Sequence, residues 1–148
     1  MANRKQRRQT AKARARDIEI HLNAARTGLE TGDLVSAVRS CQAALTVDPR
    51  AAGPHHLLAH VAYAQGRLMD AGKHIVEAAK RDEENVDIHA DCGAIMNMLG
   101  RPAEAEAACR HVLDLHGNHI GAWNNLAVAL DVQGRLREAL AACDEVLA

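Results

Sequence analysis

An all-α fold is the prediction for this chain, and three observations carry it. The 148 residues include no Phe, one Tyr and one Trp. The core must therefore be filled by Ala, Leu, Val and Ile, which suits closely packed helices better than a sandwich built on aromatic and β-branched side chains. The chain also repeats itself: TGDLVSAVRSCQAAL (31–45), QGRLMDAGKHIVEAA (65–79), LGRPAEAEAACRHVL (99–113) and QGRLREALAACDEVL (133–147) align without insertion. Finally, apolar residues recur at helical period on both sides of the Gly in each segment. The length fits one domain with a sizeable core.

The elements follow from the repeat. Gly32, Gly66, Gly100 and Gly134 lie 34 residues apart, and so do Ala37, Ala71, Ala105 and Ala139. The Gly supplies the backbone freedom of a tight helix–helix turn, and the small Ala five residues on lets the two helices approach. The pattern predicts helices at about 18–31 and 34–47, 52–65 and 68–81, 86–99 and 102–115, and 120–133 and 136–148. Asp33 is the expected N-cap of the second helix, Pro49 stops that helix, and Pro102 suits the first turn of the sixth.

These segments resemble the tetratricopeptide repeat (TPR) family, whose unit is a 34-residue helix–turn–helix. The resemblance covers residues 18–148 as units 18–51, 52–85, 86–119 and 120–148. The last unit fits best, with Trp123, Leu126, Ala127, Leu130, Gly134, Ala139 and Leu147 in the slots that the family pattern marks. Earlier units depart from it: the Trp slot holds His21, His55 and His89, and the aromatic slot of the second helix holds Cys41, Ile75, Cys109 and Cys143. The resemblance implies an α-solenoid, a right-handed superhelix in which each unit buries its apolar face only against its neighbours. With so few aromatics, modest stability is expected.

Charge divides the chain. Residues 1–16 hold seven of the eighteen Lys and Arg (Arg4, Lys5, Arg7, Arg8, Lys12, Arg14 and Arg16) and none of the nineteen Asp and Glu, leaving a net −8 on residues 17–148. Residues 1–17 are read as a basic arm, a solvated tail by composition, with helix formers from Ala11 onward that can extend the first helix. The arm can neutralise phosphates, touch an anionic membrane surface, or dock on a neighbouring copy. No apolar run marks a secretory signal or a membrane span. The four Cys form no C-x-x-C pair and no disulfide framework, so a reducing cytoplasm is the expected location.

The resemblance also implies that the first helix of each unit lines a concave groove. Carried over by slot, the groove holds Asn23 and Arg26, then His56, His60 and Tyr63, then Asp87, Asp91 and Asn97, and last Asn124, Asn125 and Asp131. The peptide-binding set is Asn23, Arg26, His56, His60, Tyr63, Asp91, Asn124 and Asn125. Asn23, Asp91 and Asn125 share one slot, interrupted by Leu57; amides there can donate to and accept from a peptide backbone at once, similar to the Asn row of the O-GlcNAc transferase array. Arg26 alone does not supply the several cations of the clamp by which other TPR proteins hold chaperone tails.

His56 and His60, four apart, share a helix face within reach of Asp87 or Asp91, and two His with a carboxylate can hold Zn²⁺. A bare H-x-x-x-H is weakly specific, so peptide contact or solvation is the expected role, with no metal and no cofactor. His55 and His89 are expected as core fillers, and the Cys as small buried hydrophobes. No G-x-S-x-G, H-E-x-x-H, Walker loop or G-x-G-x-x-G occurs, so no enzyme is expected within these residues. The reading is a protein-interaction scaffold that binds an extended peptide or partner helix. The alternatives are the N-terminal targeting segment of a larger enzyme, as in bacterial proteins that continue into a glycosyltransferase or methyltransferase, and a nucleic-acid-associated protein acting through the arm. Self-association through the arm or through an uncapped last helix is a further partner class.

Overall fold

In the computed structural model, which describes residues 3–147, eight helices follow one another: α1 (Arg4–Thr31), α2 (Leu34–Val47), α3 (Ala52–Ala64), α4 (Leu68–Arg81), α5 (Val86–Met98), α6 (Pro102–Leu115), α7 (Ile120–Val132) and α8 (Leu136–Leu147). They form four helix hairpins stacked as an all-α solenoid, each helix packing on its sequence neighbours. The first helices also meet along one side, α1 with α3 and α5 with α7.

The repeated Gly closes each hairpin in the left-handed region, at φ 78° for Gly32, 73° for Gly66, 68° for Gly100 and 75° for Gly134. In the last three hairpins a paired hydrogen bond seals the turn. The Arg67 N–H donates to Ala62 O at 2.8 Å and the Gly66 N–H to Tyr63 O at 2.9 Å, a pairing repeated by Arg101 and Gly100 and by Arg135 and Gly134. These bonds satisfy carbonyls that the helix end leaves free. Asp33 caps α2 as expected, accepting from the Ser36 N–H at 3.0 Å, and Pro102 opens α6.

Ala37, Ala71, Ala105 and Ala139 are all buried. The helices they separate come so close that a Cβ on Gly28 would stand 2.9 Å from Ala37 N and from Asp33 O. Ile75, Ile88 and Met96 fill the middle of the stack, while Leu126 and Leu130 with half-buried Trp123 fill the last unit. Glu106 ties α6 to the following hairpin, accepting from the Arg135 guanidinium at 2.6 Å and the Gln133 amide at 2.9 Å.

Two expectations differ from the structure. The arm is solvated but helical well before Ala11: its side chains are exposed, and α1 starts at Arg4, opened by a reciprocal cap in which the Gln6 N–H donates to Asn3 Oδ1 and the Asn3 N–H to Gln6 Oε1, both at 2.9 Å. Cys143 is exposed, whereas Cys41, Cys92 and Cys109 are buried. Among the described residues, nothing packs over that face of α8.

Candidate functional site

Along α3, Ala59, Val61 and Ala62 point into the core, which leaves His56, His60 and Tyr63 as a stripe at i, i+4 and i+7 on the opposite side. In α5 the inward set is Ile88, Cys92, Ile95 and Met96, so Asp87, Asp91, Ala94 and Met98 form the outward stripe. Stacking the two hairpins lays these stripes side by side. Of the two candidate carboxylates, the register brings Asp91 and not Asp87 to the histidines.

Three side chains converge there on one point. Asp91 Oδ2 lies 2.7 Å from His56 Nε2 and 2.9 Å from His60 Nε2, and the two ring nitrogens are 3.1 Å apart. His56 and Asp91 are half-buried and His60 is exposed. Burial opposes the charge on Asp91, but the hydrogen bonds and charge of His56 and His60 outweigh it and hold the carboxyl far below the ordinary carboxylate value. The hydrogen bond with Asp91 raises the His60 pKa, against the opposing effect of burial. Beside the cluster opens a shallow hollow of about 130 Å³, lined by His60, Tyr63, Asp91, Ala94, Ile95 and Met98. Tyr63 and Met98 remain about half exposed at its edge, at 54% and 47%.

The other groove residues lie apart from this cluster. On α1, the Arg26 guanidinium donates to Asn23 Oδ1 at 2.7 Å and to Glu19 Oε1 at 3.0 Å, an exposed network of its own. Asn124 is exposed, and Asn125 is half-buried on α7. Asn97, placed by slot in the groove, instead spans two units: its amide donates to Asn125 O at 2.8 Å, while its Oδ1 is buried without a protein partner. His55 and His89 are half-buried and not core fillers by themselves. Each meets a histidine of a second helix, His55 with His74 at 5.7 Å between ring centroids and His89 with His111 at 4.3 Å. Burial lowers the pKa of His55, His74 and His89. Burial also pushes the Cys41 and Cys92 thiols up to about 11 and Cys109 to about 12, so they stay protonated and unreactive near neutrality. The seven arm cations are exposed along the first turns of α1. No helix among the described residues is long and apolar enough to cross a membrane.

Position-specific comparison adds the family. Two tetratricopeptide repeat models match the chain, over residues 56–120 and 96–148. Among solved structures, a crystal structure of the MamA protein superposes with a TM-score of 0.78 at 18% identity, covering 92% of this chain and 74% of that one. YrrB, described as a TPR protein with an unusual peptide-binding site, gives 0.78 at 23% identity over 85% of this chain and 65% of its own. An O-GlcNAc transferase of Thermobaculum terrenum gives 0.69 at 23% identity, over 88% of this chain but 23% of the transferase. At these identities the likeness is one of fold.

Proposed function

Because the chain belongs to the tetratricopeptide repeat family, we propose that the face formed by α1, α3, α5 and α7 holds an extended peptide or a partner helix. This is the finer form of the protein-interaction scaffold that the fold provides. The observation that carries it is the hollow between α3 and α5, where exposed Tyr63 and Met98 flank a polar rim of His60 and Asp91. An aromatic and a flexible thioether side by side with hydrogen-bonding groups are the residue types that carry interaction hot spots. Asn23 and Arg26 on one side, and Asn124 and Asn125 on the other, extend the polar contacts along the groove.

The test is affinity for peptides selected from a random display library on the full chain. Tyr63→Ala combined with Asn125→Ala should weaken a selected peptide at least about tenfold, which is about 1.4 kcal/mol. Deleting residues 1–15 should leave it unchanged. Equal affinity of the groove variant and wild type would remove the proposal. Loss only on arm deletion, steep in salt, would favour the arm as the binding element and nucleic acid as its partner.

The likeness to a transferase supports a second reading, in which the same groove docks substrates for a catalytic domain elsewhere in a longer polypeptide. The gene sequence beyond Ala148 distinguishes the two.

A further inference from the structure

The convergence of His56, His60 and Asp91 is not well explained by hydrogen bonding alone. All three edges of the triangle, at 2.7, 2.9 and 3.1 Å, are at hydrogen-bond distance. A neutral imidazole carries one N–H and one lone pair, and a carboxylate only accepts. If both Nε2 atoms carry protons, both hydrogens aim at one oxygen and face each other. If one lacks its proton, its lone pair faces the carboxylate oxygen. In either state one edge is repulsive.

A cation that accepts three lone pairs removes the conflict. With ligand bonds of about 2.0–2.1 Å, an ion touches all three atoms from a point about 1 Å above their plane. The donor set of two imidazole nitrogens and one carboxylate oxygen suits Zn²⁺ and the neighbouring late transition metals, and not Ca²⁺ or Mg²⁺, which require mostly oxygen. Among the described residues, this is the one place where the ligand atoms of three His, Cys, Asp or Glu side chains converge in this way.

We propose that His56, His60 and Asp91 form a Zn²⁺ site with an open coordination position, bridging α3 and α5 of consecutive repeats. Three protein ligands leave the fourth tetrahedral position to water or to a donor from outside. Because the ligands come from two hairpins, the ion also fastens one repeat to the next, and binding raises the stability of the folded stack. The site stands on these three side chains and does not depend on the peptide reading.

The test uses the full chain, stripped with a chelator, and zinc chloride alone. Calorimetric titration should give one equivalent with a Kd of about 10 μM or tighter. At about 100 times Kd, the melting temperature should rise by about 5 °C or more. His56→Gln, His60→Gln and Asp91→Asn should each weaken binding at least about tenfold and abolish the melting shift. His116→Gln and Cys143→Ala, at exposed candidate ligands elsewhere, should leave both unchanged. Co²⁺ should give a visible d–d spectrum without a thiolate charge-transfer band. His60 is exposed, so His60→Gln should fold even if His56→Gln does not, and the melting curve of each metal-free variant verifies this. Wild-type affinity in His60→Gln, loss of binding only in His116→Gln or Cys143→Ala, or no binding below about 1 mM would overturn the proposal.

Discussion

A single methyl group shows how tightly the hairpins close. At Gly28 it would meet Ala37 N and Asp33 O at 2.9 Å, and these are backbone atoms that no rotamer change can move aside. Gly28→Ala should therefore cost about 2 kcal/mol in urea unfolding, because overpacking outweighs the gain in helix propensity. At Gly72 the corresponding contact is the tip of the Leu99 side chain, which can turn away, so Gly72→Ala should cost less. Glu106 gives a pH signature. Hydrogen bonds from Arg135, then Gln133 and Arg110, hold its carboxyl at about 2 against the opposing effect of burial, compared with an ordinary 4.5. Its contribution is complete above about pH 4.5 and disappears as pH falls to about 2. After solvent screening, wild type should exceed Glu106→Gln by about 1 kcal/mol at pH 7, and urea titrations at descending pH should show the gap closing over that window. At this scale the sequence was only partly legible. His56 and His60 could be paired from their spacing, but the choice of Asp91 over Asp87 required the relative rotation of two hairpins. Nothing local marked Asn97 as a tie between units.

At the scale of helices, legibility was high wherever a terminator was written into the chain. The Gly of each turn, Asp33 and Pro102 helped set bounds for α2 to α7, and for the start of α8, that the structure reproduces within a residue, because each specifies a backbone conformation or a missing donor directly; the expected end of α8 at residue 148 lies outside the described residues. The exception was the start of α1. Lys, Arg, Gln and Ala form helix without any apolar stripe, so a search for hydrophobic period passes over them. The available signal was Asn3 followed three residues later by Gln6, a reciprocal cap. All residues from Asn3 to Asp17 are exposed, so this extension contributes helix but little burial. Deleting residues 1–15 should lower the helical circular dichroism signal while changing the unfolding free energy by less than about 0.5 kcal/mol.

For the molecule as a whole, stability is distributed along a line. The larger buried cluster lies mostly between Ala59 and Ala108 and reaches Ala129 on α7, whereas α8 buries only Ala139 and Ala142, with Leu136, Leu140 and Leu147 exposed. Amide exchange should be slowest in α4 to α6 and fastest in α8 and the first turns of α1, as expected of a stack whose ends have one neighbour each. Trp123, half-buried against the last hairpin, will report that unit first, so its fluorescence should change at lower urea than the overall helical signal. Coincident transitions would instead mean that the four units unfold as one. The solenoid itself was legible from the repeat. The exposure of Cys143 was not, since the same slot is buried in every earlier unit and only the presence of a neighbouring helix decides the outcome.

The uninterrupted 34-residue spacing makes this chain a ruler as well as a scaffold. Any geometry achieved between two adjacent hairpins has an address that can be rewritten one graduation along. His56, His60 and Asp91 translate to Ala90, Ala94 and Asn125, all on first helices of the next two units. Three substitutions, Ala90→His, Ala94→His and Asn125→Asp, should therefore copy the cluster onto the next step of the stack. If the hairpins repeat in space as they do in sequence, titration of that variant will find a second equivalent of zinc.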